Sequence, residues 1–139
     1  MEKKKKVLWA SRHRPIPAER KELKRILGDY ELYHFTGRVE VREDNGECSH
    51  FIEYIKDLKP DIIVPVLPLT VVKYLVEKRE KYGYEVWEAT FEEVGVSDTP
   101  IHDEDNEVAV MLLSGKWKIM RFVGFSRIKD IKVEKELIR

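Results

Sequence analysis

The stretch Val7-Leu8-Trp9-Ala10-Ser11-Arg12-His13-Arg14-Pro15-Ile16-Pro17 decides how the chain is read. Four consecutive apolar residues fit a strand covered on both faces, which is the pattern of a parallel sheet. A polar, basic loop follows. Pro17 then suits the first turn of a helix, where its missing N–H removes no hydrogen bond. The helix 17–27 places Leu23, Ile26 and Leu27 at i, i+3 and i+4 and stops at Gly28. One strand–loop–helix unit is therefore legible in the first 28 residues.

The same alternation continues. Tyr30–Phe35 reads as a second strand, less uniformly apolar and so nearer an edge, and residues 36–47 with the Asn45-Gly46 pair form a loop. Ser49–Leu58 is a helix with Phe51, Ile55 and Leu58 on one face, closed by Lys59-Pro60. Asp61-Ile62-Ile63-Val64-Pro65-Val66 is the clearest buried strand, with Pro65 at its end. Pro68-Leu69-Thr70 opens a third helix to about Tyr82, inward through Val71, Val72, Leu75 and Val76, and Gly83 ends it before a fourth strand, Tyr84–Phe91. Strand, helix, strand, helix, strand, helix, strand implies right-handed crossovers and a mostly parallel sheet with helices on both faces.

The remainder changes character. Residues 92–106 read as an acidic loop, and Val108–Leu113 with Trp117–Phe125, joined by Ser114-Gly115-Lys116, read as an antiparallel hairpin. Ile128, Ile131 and Val133 suggest one further strand. With 139 residues and 42% hydrophobic content, one α/β domain is expected: a core over 1–91, the acidic loop over 92–106, and a hairpin extension and tail over 107–139. The pattern over 1–91 resembles a small Rossmann-like or flavodoxin-like three-layer sandwich. That resemblance is architectural, and such folds serve many functions.

Composition narrows the function classes. A lone cysteine, Cys48, forms no intramolecular disulfide, and no apolar run approaches the about 20 residues of a membrane span, so a reduced, soluble, cytoplasmic protein without membrane contact is expected. Lys3–Lys6 precede only four apolar residues, which is no signal-peptide core. No G-x-G occurs, so a dinucleotide fingerprint or Walker A loop cannot be drawn. His13, His34, His50 and His102 are widely spaced, and neither C-x-x-C nor H-x-x-x-H exists; no metal and no cofactor are expected. Abundant Lys and Glu with few Gly suggest a thermophilic source.

In an open parallel sheet, ligands sit outside the carboxyl ends of the strands where successive connections leave in opposite directions. A 2-1-3-4 order puts that point between the first and third strands, where the loops 11–16 and 67–70 meet. Ser11, Arg12, His13 and Arg14 precede a helix N-terminus, whose free N–H groups and dipole favour an anion. Thr70 adds a hydroxyl, while Thr36, Gly37, Arg38 and Thr90 end at the same sheet edge. The expected ligand-binding set is Ser11, Arg12, His13, Arg14, Thr70 and Arg38, and the expected ligand is a phosphorylated, nucleotide-like small molecule. A Ser or Thr after the first strand also occurs in nucleotide-sensing Rossmann-like domains of prokaryotic defence systems; Ser11 resembles it in that one residue only. His13 is the sole candidate acid or base of the loop, which leaves a hydrolase or transferase as the alternative. A third reading is an assembly protein that uses its hairpin edge or acidic loop.

Other constellations carry less. His102-Asp103-Glu104-Asp105 matches no calcium-loop spacing, Ser126 and Lys129 form an S-x-x-K without its companion motifs, and Cys48 has no cationic neighbour in sequence. The zero net charge, however, is unevenly spread: plus seven over 1–25, minus three over 26–81, minus nine over 82–115 and plus five over 116–139. A zero total and no DNA-reading motif disfavour sequence-specific nucleic-acid binding, so the basic and acidic segments are expected to meet each other, within the chain or across a homo-oligomer such as a homodimer.

Overall fold

The computed structural model describes residues 3–37, 49–131 and 136–138. Among the described residues six strands and four helices follow one another as β1 (Lys5–Ala10), α1 (Pro17–Leu27), β2 (Tyr30–Phe35), α2 (Ser49–Leu58), β3 (Ile62–Pro65), α3 (Leu69–Glu77), α4 (Arg79–Tyr82), β4 (Glu85–Ser97), β5 (Glu107–Met111) and β6 (Trp117–Arg127). They form one mixed, mostly parallel sheet of order β2-β1-β3-β4-β6-β5. The pairings β1·β2, β1·β3 and β3·β4 are parallel, whereas β4·β6 and β5·β6 are antiparallel.

Strand alternation sends the apolar runs to two opposite faces. Leu8, Ala10, Ile63 and Val86 pack with Phe51, Ile52 and Ile55 of α2 and Val71, Val72, Leu75 and Val76 of α3. Val7, Trp9, Ile62, Val64 and Trp87 form a second cluster with Leu23 of α1. Helices thus cover both faces of the parallel half. The step from β1 to β2 runs opposite to the steps from β2 to β3 and β3 to β4, and right-handed crossovers then require α1 on the face opposite α2 and α3. Both α1 and α4 stop at glycines with φ of 73°, Gly28 and Gly83, a backbone setting that L side chains rarely adopt.

Several expectations are corrected. Strand β4 continues to Ser97, so residues 92–97 of the expected acidic loop are strand and only the following residues connect to β5. The charges explain the misreading and the outcome together: Glu92 pairs with Arg121, Glu85 with Arg127 at 3.1 Å, and Lys116 with Asp98 at 3.9 Å, so acidic β4 is laid beside basic β6. The basic end meets the acidic segment within the chain. The third helix is divided at Lys78 into α3 and α4. Among the described residues no further strand follows β6: the Ile128 N–H donates to the Val86 carbonyl (2.8 Å), Ile128 and Ile131 pack on the α2/α3 face, and Val133 lies outside the described residues. Ile26 is 44% exposed and so not a core residue of α1, while Ile52 is a buried one of α2 that the spacing argument omitted. No helix among the described residues is long and apolar enough to cross a membrane.

Candidate functional site

Strands β1 and β3 end together. Ala10 is opposite Pro65, and the Val66 N–H donates to the Ala10 carbonyl at 2.8 Å, extending the ladder one residue past a proline that cannot donate. The loops that leave this point begin at Ser11 and Val66, on the two sides of the reversal in strand order.

The first loop is pinned from beneath. Ser11 is buried, its Oγ accepts the His13 N–H at 3.2 Å, and its carbonyl lies 2.7 Å from Nε2 of His34 on β2. The indole N–H of Trp9 donates to the His13 carbonyl at 2.9 Å. Pro15 is buried as well. These contacts hold the backbone and leave the side chains of Arg12, His13 and Arg14 exposed, without a hydrogen bond or ion pair among the described residues. Thr70 is exposed in the first turn of α3, after the loop that leaves β3. Arg38 lies outside the described residues, as does Cys48.

The first turn of α1 differs from its expected form. Glu19, three residues after the N-cap Ile16, folds back so that Oε1 accepts the Ile16 N–H at 2.9 Å. The Ala18 N–H donates to the Asp105 carbonyl of the β4–β5 connection at 2.8 Å, and Pro17 has no N–H. The Ile16 and Ala18 N–H groups, expected to face a ligand, are thus engaged within the chain. Burial of Glu19 raises its carboxyl above the ordinary value, only partly opposed by the hydrogen bond from Ile16. An anion at this sheet edge would therefore be met by the guanidinium groups of Arg12 and Arg14 rather than by the helix terminus.

Sequence reasoning missed Trp9, His34, Glu19 and Asp105 as the residues that shape this loop. A Glu three positions after the residue preceding Pro-Ala was a readable capping signal. The other three required the parallel register, which sets Trp9 beside His34, and the path of the β4–β5 connection. His102 turns inward on its own loop, Nδ1 lying 2.6 Å from the Pro100 carbonyl, and no group of three or more His, Cys, Asp or Glu among the described residues is placed to hold a metal ion. A surface groove lies elsewhere, between α1 and β6, lined by Ala18, Lys21, Glu22, Arg25, Phe122 and Val123.

Comparison of the chain with known protein families, with characterised proteins and with solved structures found no match.

Proposed function

We propose that the chain is a binding module for a phosphorylated small molecule, nucleotide-like in its anionic part, at the carboxyl edge of the parallel sheet. The proposed architecture is a small flavodoxin-like sandwich, supported by the order β2-β1-β3-β4 and by helices on opposite faces, with the β5–β6 hairpin added to it. The observation that carries the functional reading is where two exposed arginines stand. Arg12 and Arg14, like Arg20 on α1, have no carboxylate partner among the described residues, but they alone lie on a backbone held by Trp9 and His34, beside the reversal in strand order.

Binding is favoured over catalysis because no carboxylate among the described residues orients the exposed His13 ring. A guanidinium pair on a fixed loop binds phosphate without further machinery.

The test is a thermal-shift and calorimetric panel of inorganic phosphate, mono-, di- and triphosphate nucleotides and sugar phosphates. At a ligand concentration about a hundred times Kd, a true ligand stabilises the fold by about 2.7 kcal/mol, and the double variant Arg12→Ala/Arg14→Ala removes that gain while keeping the unliganded melting temperature. A wild-type protein that responds to no member at millimolar concentration sinks the reading.

A further inference from the structure

The two borders of the sheet are β2 and β5. On β5, the hydrogen bonds at its two ends agree in parity: the Phe122 N–H donates to the Asn106 carbonyl (2.8 Å) and the Leu112 N–H to the Lys116 carbonyl (2.8 Å). In the antiparallel register with β6, Asn106, Val108, Val110 and Leu112 are therefore the residues bonded inward, and Glu107, Ala109 and Met111 turn their main-chain groups outward. The Glu107 N–H is used by the Asp103 carbonyl at 2.7 Å. The Glu107 carbonyl and both main-chain groups of Ala109 and Met111 remain directed along an open edge, on which no strand lies among the described residues.

Apart from its shortness and Glu107, this edge carries little of the usual protection. Its sequence Glu-Val-Ala-Val-Met has no Lys, no Pro and no register shift against β6, and Val110 and Met111 are 49% and 63% exposed. Val110 and Val96 flank Lys118 in one cross-strand row, so the exposed valines are separated by a lysine.

We propose that β5 pairs antiparallel with β5 of a second copy of this chain, about a two-fold axis at Ala109. The charges select both partner and direction. Antiparallel pairing sets Val108 against Val110 and Glu107 against Met111 of the other copy, and it brings the hairpin tip, where Lys116 forms a long, exposed pair with Asp98 of its own chain, beside the exposed acids Asp103, Glu104 and Asp105 that precede the other β5. Parallel pairing would set acid on acid. An axis at Glu107 would do the same and would leave Met111 unpaired. The surface is self-complementary, as a two-fold contact requires. A five-residue edge falls below the about 1,200 Å² of standard interfaces, so the dimer is weak, with Kd in the range of about 10 µM to 1 mM.

Sedimentation equilibrium over a concentration series, read together with amide hydrogen exchange, tests this. The expected result is a reversible dimer in which the Ala109 and Met111 amides gain protection as concentration rises, while those of Val108 and Val110 are protected throughout. Ala109→Pro removes an outward N–H and no β5–β6 bond, and Val110→Lys places a charge at the edge against Val108 of the other copy and beside Lys118. Each raises the dimer Kd about tenfold or more with unchanged circular dichroism. A protein monomeric up to about 1 mM overturns the proposal. So does a dimer that forms without added protection at Ala109 and Met111, or one that both variants leave intact.

Discussion

The parallel half and the hairpin half of this sheet are joined through β4 yet are stabilised differently. Leu8, Ile63 and Val86 are fully buried between β-strand neighbours and helices, whereas Val94 and Val96 on the far part of β4, Val110 on β5 and Val123 on β6 are each about half exposed. The parallel half is held by apolar burial on two faces. In the hairpin the stabilising contacts lie along and across strands: the Glu92–Arg121 and Glu85–Arg127 pairs, and an aromatic row in which Phe91, Phe122 and Phe125 follow one another and Phe125 meets both Trp9 and Trp87. A strand needs two covered faces when helices flank it, but only cross-strand partners when it is added to a sheet edge.

Truncation of one residue from each half breaks this comparison most directly. Leu8→Ala should cost about 3 kcal/mol by chemical denaturation, because it leaves a cavity among α2, α3 and the sheet, while Val123→Ala should cost under about 1 kcal/mol. Equal losses would show that the hairpin is as tightly packed as the core.

The junction of the halves offers a second, smaller test. Glu19 is buried where α1 meets the β4–β5 connection, and its carboxyl binds a proton more tightly folded than unfolded. Folding stability therefore falls as pH rises from the ordinary value of 4.5 through the raised folded value, since the folded state then loses the proton that it held more tightly. Glu19→Gln retains an acceptor for the Ile16 N–H and removes that loss. Its melting temperature should exceed that of the wild type by an amount that grows as pH is raised from about 4 towards neutrality. A constant difference would show that charge burial at Glu19 is not the cause. Smallest of all is Arg121→Ala: this exposed pair should shift the melting temperature only slightly at low salt, and the shift should vanish at about 1 M salt.

The candidate site divides along the same line between local and tertiary information. The basic loop 11–14, its place after the first strand and its position at the reversal in strand order were legible, because a continuous apolar run followed by Pro17 marks the strand and helix on either side. Engagement of the α1 terminus by Asp105 was not, since a carbonyl far along the chain leaves no local trace. The acidic stretch after Phe91 misled for a related reason: Glu92 and Glu93 on an open loop and on a strand beside basic β6 look alike until the partner strand is known.

By itself, the sequence determined the elements whose signals are local. Buried runs, helix periodicity and glycine stops name β1, α1, β3 and the ends of two helices, because propensity and patterning act within a few residues. Only the tertiary structure decided how far β4 runs, which carbonyl engages the N-terminus of α1 and which edge of the hairpin is left unpaired. Each of those depends on a partner far along the chain, and a hydrogen bond or ion pair of that kind exists only once the fold has brought its two ends together.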